Sequence, residues 1–285
     1  MARRRGPILG AHVSAAGGLH TAFDRAEEVG CDTMQIFTKN KGAWQAKPLE
    51  DDAIATFRKR AKESTVGPVV THASYLLNLA SPDAALRKKS SEALRIELER
   101  NEALGIPYLV LHPGAHKKTG EAHGLGRVNT ALNRVLGWTE GFKGKILLEN
   151  SAGQGSSVCR RFESLGRLLN ESAVPDRLGV CIDTCHLFAA GYELRDKAGY
   201  AETMAELESQ VGIDAVLCLH LNDSKRELGS RVDRHEHIGE GEIGVEAFRQ
   251  LLGDPRFRKV PMIFELPPED DRLRTNLELL RGLVK

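Results

Sequence analysis

Short apolar runs alternate with stretches of helical periodicity from one end of the chain to the other. The first run, Pro7 to Val13, gives way to Leu19, Ala22, Phe23, Ala26 and Val29, whose spacing predicts an amphipathic helix. A second strand is expected over Thr33 to Phe37, then the polar loop Thr38 to Lys47 and a helix marked by Ala53, Ile54 and Phe57. Pro68 to His72 reads as the third strand. Ser81-Pro82-Asp83 offers an N-cap, a first-turn proline and a first-turn acid to a long helix ending near Leu104. Tyr108 to His112, Lys145 to Glu149, Leu178 to Asp183, Ala215 to Leu221 and Val260 to Leu266 bring the strands to eight. Between and after them, helices are expected around Val128, Leu132, Val135 and Leu136, and over Phe162 to Leu169, Ala201 to Val211, Val245 to Leu252 and Leu273 to Val284.

Eight strand–helix units in 285 residues fit a single α/β (β/α)8 TIM barrel, whose usual size is roughly 250 residues. Continuous apolar strands suit a parallel sheet buried on both faces. A doubly wound open sheet is the alternative, but it rarely needs eight regular units. No Pro/Gly/Ser linker, composition shift, short repeat or low-complexity tract divides the chain, so residues 1–285 read as one domain. Arg3 to Arg5 read as part of a flexible basic tail over residues 1–5.

Composition changes the picture only by exclusion. Apolar content of 41% and charged content of 28% are those of a soluble globular protein. No apolar run approaches the roughly 18 residues of a membrane span, so no membrane partner is expected. The start, Met-Ala-Arg-Arg-Arg, has no apolar segment of the secretory kind. Cys31, Cys159, Cys181, Cys185 and Cys218 are odd in number, scattered and mostly set in apolar runs, which predicts reduced, buried thiols and a cytoplasmic location. A net charge of +1 gives no global sign of a nucleic-acid partner; any such surface has to be local.

Candidate chemistry sits at the strand ends. The third ends in His72, the fourth in His112, the fifth in Glu149, the sixth in Asp183 with His186 just beyond, the seventh in His220, and the eighth carries Glu265. In a parallel barrel these ends share one rim, where barrel active sites lie. After His220 a charged loop closes on Asp233-Arg234-His235, two ligand-type residues that an extended segment points to one side. Nine imidazoles and carboxylates without a required thiolate suit zinc, manganese or a related ion in a catalytic site with open positions. At roughly three or four protein ligands per ion they exceed the needs of one ion and suit two, or three with a bridging carboxylate. Two ions roughly 3.5–4 Å apart clamp an in-line displacement at phosphorus, one side activating water and the other neutralising the leaving oxygen. No convincing Ser-His-Asp or Cys-His arrangement and no phosphate-cradling P-loop competes with that reading.

Four stretches then carry a family resemblance. They are GAHVSAAGGL (Gly10 to Leu19), LLENSAGQGS (Leu147 to Ser156), GVCIDTCHLFAAGYEL (Gly179 to Leu194) and HLNDSKRELGSRVDRHEHIGEG (His220 to Gly241), and they closely resemble the endonuclease IV family of apurinic/apyrimidinic endonucleases. The resemblance spans nearly the whole chain. It implies a barrel with three Zn2+ ions, with Mn2+ an alternative at one site, that cuts duplex DNA 5′ to abasic sites in base excision repair. The products would be a 3′-hydroxyl and a 5′-deoxyribose phosphate, and blocked 3′ ends would also be cleaned. By the same resemblance His72, His112 and Glu149 hold one ion, and a bridging Glu149 with Asp183, His220 and Glu265 holds the second. His186, Asp233 and His235 hold the third, Glu149 and Glu265 are catalytic, and Glu265 keeps the attacking hydroxide in line with phosphorus. His12, Asn222 and Ser224 are placed as supports of the ligands.

The partner implied is double-stranded DNA with abasic sites or blocked 3′ ends, met by a monomer. Tyr75 and Leu76 match the family's wedge into the gap left by the missing base, where unstacking costs least. The loop Thr38-Lys39-Asn40-Lys41-Gly42-Ala43-Trp44 matches a second penetrating loop that brings Asn40 and Lys41 to the DNA, and Arg234 is placed near phosphate. One departure stands out: family members often carry arginine where this chain has Gly42, and the neighbouring Lys41 lacks a guanidinium plane to stack on bases. Two other classes remain open on the residues alone. A sugar isomerase or epimerase accounts for Glu149, Asp183, His220 and Glu265 but not for Asp233 and His235, and a non-catalytic DNA-binding module needs none of the carboxylates.

Overall fold

In the computed structural model, which describes residues 6–266 and 270–284, the branched and aliphatic runs form a closed parallel barrel. Its strands are β1 (Ile8–His12), β2 (Thr33–Ile36), β3 (Val69–His72), β4 (Tyr108–Leu111), β5 (Lys145–Glu149), β6 (Leu178–Asp183) and β7 (Val216–His220). A short antiparallel pair, β8 (Asp223–Ser224) and β9 (His235–Glu236), stands apart, and β10 (Pro261–Phe264) closes the barrel between β7 and β1. The eight-strand expectation holds, with ends trimmed by one or two residues. The Arg3–Arg5 tail lies outside the described residues. Gly10 is required where it stands: a Cβ there would come within 1.8 Å of the Thr33 carbonyl oxygen on β2.

Helices α1 (Thr21–Val29), α2 (Asp51–Glu63), α3 (Ala84–Leu104), α4 (Glu121–Trp138) and α5 (Phe162–Asn170) cover the outside of the barrel. They are joined by α6 (Thr184–Ala190), α7 (Lys197–Gln210), α8 (Val245–Gly253) and α9 (Asp270–Gly282). None among the described residues is long and apolar enough to cross a membrane. The start of α3 departs from expectation. Its cap is Asp83 rather than Ser81, because the Asp83 carboxylate accepts from both Ala85 N (2.8 Å) and Leu86 N (3.3 Å), while Ser81 Oγ accepts from Asp83 N. Pro82 therefore precedes the helix. The short α6 and the β8–β9 pair were not expected at all.

Two cores follow from the period-two geometry of strands. Outward residues such as Leu111, Leu148, Ile182, Leu219 and Phe264 pack against the helices in the large outer core. Inside, Val70, Val110, Leu147, Cys181, Cys218 and Ile263 form a separate buried layer. Each of these six lies two residues before a candidate ligand: His72, His112, Glu149, Asp183, His220 and Glu265. One face of each strand thus carries a floor residue and, one pleat higher, a polar side chain.

Candidate metal centre

His72, Glu149, Asp183 and His220 are the last residues of β3, β5, β6 and β7, and His112 and Glu265 lie one residue beyond β4 and β10. Glu149 is at the centre: its carboxylate oxygens lie 3.2 Å from His72 Nε2, 3.2 Å from His112 Nε2, 3.0 Å from His220 Nδ1 and 3.5 Å from His186 Nδ1. Asp183 and His220 are register partners on adjacent strands, which sets their donors side by side.

Asp183 also builds the next part of the site. As the cap of α6 it accepts from His186 N at 2.8 Å, so the helix starts with His186 fixed in its first turn over the barrel mouth. Its other oxygen takes the Asn222 amide at 2.5 Å, and Asn222 Oδ1 accepts from Glu265 N at 2.8 Å. Asp233 and His235 arrive by a different route. Pairing of Ser224 with His235 in β8–β9, the Lys225 N bond to the Arg234 carbonyl, and the Asp233 N bond to Gln154 Oε1 fold the charged loop back over α6. His186 Nε2 then lies 3.2 Å from Asp233, and His235 Nε2 lies 3.4 Å from it. The nine residues fall into three groups: His72, His112, Glu149; Glu149, Asp183, His220, Glu265; and His186, Asp233, His235, the donor atoms of each group lying within 4.8 Å of one another.

The donor set suits cations. Four carboxylates converge on a largely buried basin and repel one another unless positive charge neutralises them. Ring orientation agrees: Nδ1 of His72, His186 and His235 lies 2.7–3.0 Å from the carbonyls of Ala73, Asn150 and Glu265, respectively. With Nδ1–H donating there, each Nε2 turns its lone pair inward, as in histidines poised for a metal. His235 Nε2 is buried with no hydrogen-bond partner among the described residues, an orphan that a bound ion would satisfy.

Supporting residues divide by contact. His12 Nδ1 is 3.6 Å from Glu265 Oε1, and Asn222 clamps Asp183 to Glu265, so both touch candidate ligands. The Ser224 hydroxyl bonds Arg226 instead, and its part in the site is the backbone pairing with His235. Gln35 and Asn150 escaped the sequence reading. The Gln35 amide donates to Glu265 Oε1 (2.5 Å), and its carbonyl lies 2.9 Å from His220 Nε2. Asn150 bonds the Asp183 backbone in both directions and supplies the carbonyl that His186 meets. The signal for Gln35 was present, since a buried glutamine between Met34 and Ile36 is unusual in a strand interior.

Burial opposes every charge in the basin. For Glu149 and Glu265 it pushes the carboxyl up, but the surrounding rings, His112 and His220 for the first and His220 and His12 for the second, hold both well below the usual range. Asp233, half-exposed at the rim, is held at about 2 by His186 and His235. Against the same burial, His186 is driven well above 6.5 by Asp183 and Asp233, and His220 by Cys181, Glu265 and Glu149. Burial wins at His12 and His112, which are lowered.

These directions fix a pH profile for ion-free protein. A raised histidine adds stability below its unfolded value of 6.5 and loses it as pH rises through the folded value. A lowered glutamate adds stability above 4.5 and loses it as pH falls through the folded value, while His12 and His112 partly offset the histidine trend. The melting temperature in chelator is expected to peak between pH 4.5 and 6.5 and to decline above it. Excess zinc should reverse that decline, because rings ligate only when neutral. Melting curves with chelator and with zinc, from below pH 4.5 to above pH 6.5, check both slopes.

Beside the basin opens a cavity of about 640 Å3 lined by Tyr75, Leu76, His112, His186, Asp233 and Arg234 among others. Tyr75 is 56% exposed, with Lys41 Nζ 5.8 Å from its ring centre. Asn40 Oδ1 accepts from Gly42 N at 2.9 Å. Beneath these rim loops lies a buried ion pair: Lys39 Nζ is 3.2 Å from Glu97 on α3, with side chains 4% and 2% exposed. Lys39 also donates to the Ala43 carbonyl, Glu97 accepts from Ser74 N and Thr38 Oγ1, and Ser74 Oγ donates to the Lys41 carbonyl. The loops around residues 38–44 and 73–77 thus share one anchor. Glu97→Gln, which leaves Lys39 buried and uncompensated, is expected to cost about 3–5 kcal/mol in urea unfolding at fixed zinc.

The family described as xylose isomerase-like TIM barrel matches residues 23–283. A probable endonuclease 4 of Chloroflexus aurantiacus is 53% identical over 281 residues, covering 98% of this chain and 99% of the relative. One from Trichlorobacter lovleyi is 46% identical over 277 residues, covering 96% and 99%. Endonuclease IV of Thermus thermophilus superposes with a TM-score of 0.88 at 35% identity, covering 98% of this chain and 99% of that one. A D-tagatose 3-epimerase-like protein shares the fold alone, at 20% identity and a TM-score of 0.71, covering 96% and 97%. On identity and coverage together, the chain belongs to the endonuclease IV family.

Proposed function

We propose that this chain is a zinc-dependent apurinic/apyrimidinic endonuclease of base excision repair, acting as a cytoplasmic monomer. It hydrolyses the phosphodiester 5′ to an abasic site in duplex DNA, leaving a 3′-hydroxyl and a 5′-deoxyribose phosphate, and it also clears blocked 3′ ends. The observation that carries this reading is the convergence of nine donors into three groups in a member of the endonuclease IV family. His72, His112 and Glu149 would hold one zinc, Glu149 with Asp183, His220 and Glu265 the second, and His186, Asp233 and His235 the third.

Zinc, when bound, supplies Lewis acidity toward the phosphodiester oxygens and acidifies water. The chain's residues do the positioning. Glu265, kept anionic and tied to Gln35, aims the attacking water at phosphorus. Asn222 holds Glu265 and Asp183 in a fixed relation. Tyr75 and Leu76 enter the gap left by the lost base, Asn40 and Lys41 approach from the neighbouring loop, and Arg234 meets phosphate.

The test is metal content together with incision of one abasic duplex. Two or three zinc ions per chain and 5′ incision support the reading. Fewer than two ions, or no incision by metal-replete protein, refutes it. A sugar epimerase is the rival that the barrel likeness keeps in play, and the same preparation mixed with ketoses separates the two.

The Gly42 departure yields a further prediction. A Cβ at Gly42 meets Asn40 Oδ1 at 3.5 Å, ordinary contact, so an arginine fits the backbone there. Gly42→Arg should tighten abasic-duplex binding by about 5- to 100-fold, the worth of one stacked side chain. An unchanged Kd by anisotropy would remove this loop from the DNA interface.

A further inference from the structure

Beneath the nine-donor basin, the barrel floor carries two thiols that the proposed reaction does not use. Cys181 on β6 and Cys218 on β7 are register partners, and both are fully buried. Their sulfurs and one ring nitrogen of His220 lie within 4.8 Å of one another. The rest of that layer, Val70, Val110, Leu147 and Ile263, is aliphatic and offers no competing donor. The Cys218 thiol makes a long 3.9 Å contact to the Leu219 carbonyl.

We propose that Cys181 and Cys218, with His220 shared from the basin above, form a site for a thiophilic divalent cation of the cadmium class. Two thiolates match one dication in charge, so the loaded site is neutral overall and compatible with an aliphatic floor. Sulfur donors select a soft ion over magnesium or calcium. In zinc-loaded protein, binding would form two cadmium–sulfur bonds and one cadmium–nitrogen bond, break the bond of His220 to the ion above it, and release two thiol protons to solvent. Paired register on adjacent strands brings the sulfurs together without any change of fold. His220 also belongs to the group with Glu149, Asp183 and Glu265, so an ion on the floor draws a donor away from the basin. Cys185 lies in a different group, with Asp183 and His235, and offers only one sulfur.

The experiment adds one equivalent of Cd2+ to the full chain in zinc-containing buffer. Thiolate-to-cadmium charge-transfer absorption of two-sulfur intensity is expected, with two protons released per ion. Cadmium NMR on the wild-type chain reports sulfur coordination independently of any variant. Cys218→Val, which replaces the thiol with an aliphatic side chain like its floor neighbours, should weaken cadmium binding by at least about 100-fold. No sulfur coordination in the wild type overturns the proposal, as does undiminished sulfur coordination in folded Cys218→Val.

Discussion

Glu265→Gln is expected to reduce incision of an abasic duplex by at least about 1000-fold in kcat while leaving duplex affinity within about threefold. The substitution preserves shape and a donor oxygen but removes a negative charge from the point where several interactions meet. Glu265 lies 3.1 Å from His220 Nδ1 and 3.6 Å from His12, and it accepts from Gln35. Its burial favours the neutral acid, yet His220 and His12 keep it ionised, so the wild-type residue presents a carboxylate throughout the working pH range. An amide cannot take up a proton from water or balance a cation in the same way. Binding should survive because the proposed DNA contacts, Tyr75, Leu76, Asn40, Lys41 and Arg234, lie on rim loops that this change leaves alone. Single-turnover incision, anisotropy and zinc content on one preparation give the comparison. A kcat within tenfold of wild type would reduce Glu265 to a structural carboxylate.

Removal of the metals should have a second large effect, on both activity and stability. An ion held at about a thousand times its Kd contributes roughly 4 kcal/mol to the folded state. In a protein somewhat larger than 150–250 residues, 1 kcal/mol shifts the melting temperature by roughly 2 °C. Three ions therefore predict a drop of at least about 10 °C on chelation, with incision abolished. Removal leaves the four carboxylates of the basin without their cations and His235 Nε2 without a hydrogen-bond partner among the described residues. Zinc added back should restore both properties. An unchanged melting temperature after verified stripping would mean that the histidine–carboxylate contacts satisfy the basin unaided.

Much of this architecture follows from local pattern. Eight apolar runs separated by helical periodicity specify parallel strands covered by helices. In a closed parallel barrel all strands leave through the same rim, so His72, His112, Glu149, Asp183, His220 and Glu265 converge without further instruction. The period of two carries more than the strand assignment alone: Val70, Val110, Leu147, Cys181, Cys218 and Ile263 mark the floor beneath the donors. Burial of all five cysteines agrees with their apolar settings.

Tertiary structure decided the rest, because those features depend on contacts between residues distant in the chain. Ser81 and Asp83 are comparable caps by composition, and only the observed bonds to Ala85 and Leu86 select Asp83. Gln35 gains its place by meeting Glu265, 230 residues away. Asp233 and His235 reach His186 only because β8–β9 pairing and the bonds of their loop to Gln154 and Ala189 turn that loop over α6. The Lys39–Glu97 anchor and the Cys181–Cys218 pairing are likewise meetings of separate elements. A sequence sets which face of a strand each side chain occupies, since that is fixed by one residue's neighbours. Which partner it meets across the barrel is set by the packing that closes the fold.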